Sequence, residues 1–200
     1  MDSPTPIPSV PVFPLDDYFV FPGSVTPLHV FETRYRQMMR DLMDSSGRFV
    51  MAPTDPSQAR DPGAGGSPPL PELGTLVEIL RTEELEDGRW LVLLLALARV
   101  RLAEVPSDRL YRRAEAQLLA EPEPDGPAPD AAGLRAALFT ALQQASDGIA
   151  VELPEDVPTG RLADLLLQAL PLEPARRRQA FAELDPEARA RLALGWFTPA

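Results

Sequence analysis

Residues 8–32 carry Pro8, Pro11, Pro14, Pro22, Gly23 and Pro27, a chain breaker every few residues. Each proline lacks an N–H and pushes the residue before it toward extended or turn backbone, so this stretch excludes a long helix and leaves short strands and tight turns. It is also densely apolar, with Val12, Phe13, Leu15, Tyr18, Phe19, Val20, Phe21, Val25, Leu28, Val30 and Phe31. The period changes at Thr33. Tyr35, Met38, Met39, Leu42 and Met43 recur at helical spacing, with Arg34, Arg36, Gln37, Arg40 and Asp41 opposite. That pattern predicts an amphipathic helix with an apolar core-facing stripe, ending near Ser46-Gly47.

Arg48–Pro53 reads as a strand, and residues 54–74, rich in Pro, Gly and Ser, as a flexible loop. Thr75–Arg81 and the apolar run from Trp90, joined across Asp87-Gly88, predict two antiparallel strands. Past the run, Val100 and Leu102 are expected inward, with Arg99 and Arg101 in water. Tyr111–Leu119 fits either a strand or a helix. "EPEPDGPAPD", residues 121–130, is a linker by composition. After it the spacing is helical throughout. Leu134, Leu138, Ala141 and Leu142 mark one helix, and a second is expected from Thr159 as its cap, carrying Leu162, Leu165, Leu166, Ala169 and Leu170. Glu173-Pro174 opens a third, with Phe181 and Leu184 inward, and Asp185-Pro186 a fourth. A β-rich front half and an all-helical back half follow.

Composition removes several chemistries. The net charge of −11 works against nucleic acid as a partner, because phosphate affinity comes from clustered basic side chains. There is no Cys, hence no thiolate nucleophile and no Cys-type zinc site, and all 19 basic residues are Arg. Without Lys there is no Schiff base, no Ser-Lys dyad and no Walker A lysine. The longest apolar run, Trp90–Ala98, is nine residues against the roughly 20 of a membrane helix. The first residues, MDSPTPIPS, lack the basic start and apolar run of a signal peptide, so a soluble cytoplasmic protein is expected.

Ser24, the single His29 and Asp16 or Asp17 assemble a triad only on paper, since Ser24 lacks a G-x-S-x-G elbow. The carboxylates show no metal-ligand spacing; the Glu83–Asp87 run reads as a solvated hairpin tip, and no cofactor is expected. Arg176, Arg177 and Arg178 are expected to pair with neighbouring acids. Within residues 12–36 most apolar side chains are expected to pack, Phe31 among them. Tyr18 and Phe19, in the turn that starts at Asp16-Asp17, are expected to be exposed, and exposed aromatics at a loop tip suggest a contact site.

Three motifs in order carry a family resemblance: Pro11-Val12-Phe13-Pro14-Leu15, then Phe21-Pro22-Gly23, then Pro27-Leu28-His29-Val30-Phe31-Glu32 followed by Arg34-Tyr35-Arg36. The chain resembles the Lon N-terminal domain, the substrate-binding part of Lon proteases, as a free-standing member. Gly74-Thr75 and the segment Arg176–Leu192 are similar to later parts of that family, over residues 8–195 in all. Thr33 and Ala96 stand where relatives often have Pro and Gly. The resemblance implies an α+β protein: a β-rich PUA-like pseudobarrel with one amphipathic helix over residues 1–120 (flexible loop 54–74), a linker at 121–130 and a C-terminal helical bundle at 131–200.

It implies further a non-enzymatic, ATP-independent polypeptide-binding module without Lon's ATPase and protease. Apolar segments of unfolded or partner polypeptides would be held in a groove, with backbone pairing at a strand edge, and a protease or chaperone is a candidate partner. Leu15, Tyr18 and Phe19 are the expected contacts. Phe13, Pro14, Phe21, Pro22, Gly23, Pro27, Leu28, Phe31, Glu32, Arg34 and Tyr35 are the expected structural motif. An RNA-binding PUA-like protein and a hydrolase with an unrecognised site are the rival readings; no membrane contact is expected, and the oligomeric state is left open.

Overall fold

A computed structural model describes residues 6–58, 68–122, 130–145, 153–154 and 156–198. The described elements run β1 (Ile7–Asp16), β2 (Val25–Val30), α1 (Thr33–Met43), β3 (Arg48–Thr54), β4 (Leu73–Glu84), β5 (Trp90–Val105), β6 (Arg112–Leu118), α2 (Ala131–Ala145), α3 (Thr159–Ala169), α4 (Pro174–Ala182) and α5 (Pro186–Trp196). They divide into two compact units, one of Met1–Val20 and Val25–Leu119, the other of Phe21–Ser24 and Ala120–Ala200. Most of the expected linker, residues 123–129, and the middle of the expected loop, 59–67, lie outside the described residues.

The first unit is a mixed six-stranded sheet in the order β2-β5-β4-β3-β1-β6, closed by a further β5–β6 pairing. β5 makes this closure possible. Its start pairs antiparallel with β2, its length with β4, and its last six residues with β6. β1 and β3 are parallel, and β1 meets β6 antiparallel on its other edge. β1 is ten residues long despite its prolines. Ser9 adopts φ 54°, and the register shifts between Ile7 and Val10, so the strand absorbs Pro8 in a local irregularity, while Pro11 and Pro14 keep regular register opposite Arg113 and Ala52.

Period-two alternation on β5 sends Trp90, Val92, Leu94 and Ala96 inward, where Tyr35, Met38, Met39 and Leu42 of α1 meet them with Phe13, Phe49 and Met51. The rings of Phe13 and Tyr35 stack 4.0 Å apart. A second cluster gathers Val10, Val12, Val50, Leu76, Val100 and Leu102. Two expectations need correction here. Met43, placed on the buried stripe, is exposed at the last turn of α1. Arg99, expected in water, is buried: its strand is paired on both sides there, with Thr75 of β4 opposite it and its carbonyl accepting from Leu119 N, so it does not sit at a sheet edge. Tyr111–Leu119 is a strand, and the phenol of Tyr111 donates to Asp41 Oδ2 at 2.8 Å, tying α1 to the β5–β6 connection.

In the second unit, Leu162, Ala163, Leu166 and Leu167 of α3 are buried where α3 packs with α2 and α5. Leu167 replaces Leu165 and Ala169 on the expected stripe. Thr159 does not cap this helix; Pro158 occupies that position and Thr159 is the first helical residue. Asp185 does cap α5, accepting from the N–H groups of Glu187 and Ala188. Leu184 lies beyond α4 and is half-buried, whereas Phe181 is buried. Phe21 belongs to this unit: its ring meets Phe181 edge-on at 5.7 Å, and its N–H donates to Gln168 Oε1 at 3.0 Å. Gly23 at φ +89° lies where a Cβ would collide with the Arg161 guanidinium, so both backbone and space call for glycine.

Arg189 is fully buried beside the equally buried Asp164, with Nε 2.9 Å from Asp164 Oδ1 but off the line a hydrogen bond needs. Its other nitrogens donate to the Glu183 carbonyl at 2.8 Å and to Glu121. Removing one partner of such a cluster leaves a desolvated charge behind. Arg189→Ala is therefore expected to cost about 3–5 kcal/mol in urea unfolding. Arg191→Ala, which breaks only an exposed pair with Glu187, should stay within about 0.5 kcal/mol.

Candidate functional site

The turn after β1 separates two residues expected to act together. Asp17 takes φ 51°, and its N–H donates to the Thr54 carbonyl at 2.9 Å. This reversal turns Tyr18 outward, 37% exposed, and Phe19 inward, 1% exposed. Thr75 Oγ1 then donates to the Val20 carbonyl at 2.6 Å and holds the segment down. Phe19 is thus a core residue, a correction to its expected exposure, while Leu15 is half-buried against the core.

The opposite correction falls on Phe31. Val30 takes the last inward position of β2, so the next side chain points out just before α1 begins, and Phe31 is 61% exposed. It does not stand alone. Val25, Pro27 and His29 face outward on β2, directly opposite Leu95, Leu93 and Leu91 of β5. Val25 is 52% and Leu91 44% exposed. The His29 and Phe31 rings lie 5.9 Å apart. On the next strand Arg81 faces Leu93 and Glu83 faces Leu91, so a charge of each sign borders the apolar row. A shallow depression of about 190 Å³ lies here, lined by Pro27, Arg81, Thr82, Glu83, Leu91, Val92 and Leu93. Six strand residues make this row about 20 Å long.

Sequence reasoning missed the β5 half of the row because Trp90–Ala98 is apolar at every position. A continuous run reads as buried on both faces, and only the pairing with an edge strand shows which face is left uncovered. The other motif residues lie away from this row. Phe13 is buried, Pro14 lies in β1 opposite Ala52, and Pro22 and Gly23 accompany Phe21 in the second unit. Leu28 is half-buried on the inner side of β2. Glu32 precedes the first turn of α1, where it receives the Arg34 Nε–H at 2.9 Å, and the Arg34 guanidinium lies 4.8 Å from the Tyr35 ring centre.

No hydrolytic triad is assembled: the Ser24 hydroxyl donates to the Phe21 carbonyl at 2.7 Å, and His29 is an exposed member of the outer row. Among the described residues no group of three or more His, Asp or Glu could hold a metal ion. No described helix is long and apolar enough to cross a membrane. The Arg176 guanidinium lies 5.6 Å from the Trp196 ring centre, and Arg177 donates to the carbonyls of Leu170 and Leu172. These two arginines therefore do not pair with neighbouring acids as expected.

Residues 9–198 match the ATP-dependent protease La (LON) substrate-binding domain. The chain belongs to that family. It is 29% identical over 203 residues to the Lon protease of Lawsonia intracellularis and 26% identical over 190 residues to that of Escherichia coli K12. These alignments take in 98% and 90% of this chain but only 24% and 23% of the two proteases, so it spans about a quarter of those relatives. Among solved structures, the Lon N-terminal domain protein from Xanthomonas campestris is similar at 25% identity and a TM-score of 0.70, over 96% of this chain and 100% of that one. The N-terminal domain of the Mycobacterium avium complex Lon protease shares the fold at 21% identity and a TM-score of 0.66, over 94% and 97%. The matched region of those relatives is the part the family description calls the substrate-binding domain.

Two phenols set an alkaline limit on this module. Burial pushes Tyr35 up to about 12, with Arg34 opposing and Glu32 reinforcing. Tyr111 rises to about 12, first through burial and then through its bond to Asp41. An unfolded chain releases both protons near pH 10, so the folded state binds them more tightly. The stability they contribute is intact below about pH 10 and is lost between about pH 10 and 12. Urea midpoints should hold steady up to about pH 9.5 and fall above 10, and Tyr111→Phe should remove part of the slope; a decline already complete at about pH 9 would contradict this assignment.

Proposed function

We propose that this protein is a non-enzymatic, ATP-independent polypeptide-binding module of the cytoplasm that captures exposed apolar segments of unfolded chains, for release to a protease or chaperone. The observation that carries the reading is the uncovered apolar row of β2 and β5 on a member of the Lon substrate-binding family. Burying such a row on a partner's apolar side chains is favourable by about 25 cal/mol per Å² removed from water and needs no fixed sequence, as capture of unfolded chains requires. Tyr18, exposed at its turn, is a second contact, and Leu15 supports it from the end of β1. The absence of lysine fits a module that binds without turning over ATP or cutting the chain.

The closed sheet is on this reading a PUA-like pseudobarrel over residues 1–120, and the helices after a linker at 121–130 form a C-terminal bundle over 131–200. Of the motif, Pro27 and Phe31 belong to the row, while Phe13, Pro14, Leu28, Glu32, Arg34 and Tyr35 hold its sheet and helix in place without contacting the ligand.

A labelled, reduced and carboxymethylated polypeptide, followed by fluorescence anisotropy, tests the reading. The double variant Val25→Ser/Leu91→Ser should bind at least about tenfold more weakly, with unchanged urea stability, because each change removes exposed apolar area only. Affinity should differ less than about twofold between low and physiological salt. A steep salt dependence, or a double variant that binds like the parent, would contradict apolar capture on this face.

A further inference from the structure

We infer that the captured segment binds as an added β-strand along the unpaired edge of β2. The inference rests on the proposed function and specifies how the row is used. The sheet order ends at β2: one edge pairs with β5 from Val25 to Val30, and no described strand occupies the other. A strand at the end of a sheet presents a line of backbone N–H and C=O groups along its outer edge, and an extended chain satisfies them.

The side chains of β2 point the same way. Exposed edges are usually guarded by charges, bulges or very short strands. β2 has six residues, no Asp, Glu or Arg, and an unbroken register with β5. Pro27 is the one guard, withholding a single donor while its carbonyl stays able to accept. A strand laid beside β2 would place alternate side chains next to Val25, Pro27 and His29, on the face that carries Leu91, Leu93 and Leu95.

The occupant that fits is a segment of about six residues, extended, uncharged on the residues above this face, and apolar there. The bordering Arg81 and Glu83 cancel, so neither sign of flanking charge is preferred. A second copy of this chain fits less well. A stable dimer uses about 20–30 residues a side, whereas this edge offers six, enough for transient capture of a flexible chain.

Backbone N-methylation separates strand addition from plain apolar contact, because it removes donors and leaves side chains in place. The probe is a capped twelve-residue peptide with a central Val-Thr-Val-Thr-Val-Thr, compared with two forms methylated on alternate amides, one set for each edge of the strand. Binding of each to the full chain is read by anisotropy beside the carboxymethylated polypeptide. Methylation of one set should weaken binding by roughly tenfold or more, and methylation of the other by less than about twofold. Equal binding of both methylated forms, or equal loss, would overturn strand addition. So would binding of the polypeptide but not of the parent peptide, with capture by the apolar row left standing. Failure of both probes would contradict the proposed function itself. If sedimentation shows a dimer that Val25→Glu dissociates, a second copy holds the edge and the inference falls.

Discussion

The alternation of β5 is the constraint on which the first unit depends. A strand buries every second side chain, so placing Trp90, Val92 and Leu94 in the core commits Leu91, Leu93 and Leu95 to the other face. Because β5 is sixteen residues long, it pairs with β4 throughout much of its length and still offers its other edge to β2 first and β6 later. Closure of the sheet through β6 removes that edge from solvent, whereas the β2 end remains open. One strand thereby produces both the core and the uncovered apolar row. A slip of one residue would exchange the two faces, and α1, whose Tyr35, Met38, Met39 and Leu42 fill the inner side, opposes it by packing.

The FPG stretch illustrates a different economy of sequence. Phe21 to Ser24 belong to the second unit, where Phe21 packs on Phe181 and gives its N–H to Gln168. Glycine at position 23 is demanded by a positive φ and by the Arg161 guanidinium together. Arg189 plays a comparable part further along, gathering Asp164, Glu121 and the Glu183 carbonyl around one buried cation. These contacts are specific and costly to disturb. The outer row, in contrast, is made of exposed side chains carried by two paired strands.

Local chemistry made much of this legible in advance. The helical stripe of α1 up to Leu42, the turn at Asp87-Gly88, the strand from Arg48 and the Asp185 cap each follow from residues close in sequence, and each is found. The failures share a cause. Phe19 is buried because Asp17 adopts a left-handed conformation that no rule assigns to it beforehand, and Phe31 is exposed because Val30 claims the last inward place. Leu91 is exposed because of what β5 pairs with, information that lies sixty residues away in β2. Arg99 is covered for a similarly nonlocal reason. The family could be read from motif spacing, but the face that the fold leaves open could be read only from pairing.

The central claim is that an unfolded chain is held on the β2–β5 face. Hydrogen–deuterium exchange of the protein, free and saturated with the carboxymethylated polypeptide, addresses it most directly. The account predicts slowed exchange in peptides covering residues 25–31, where edge amides gain partners, with little change at residues 33–43 of α1. Protection confined to other segments, or none at saturation, would contradict it.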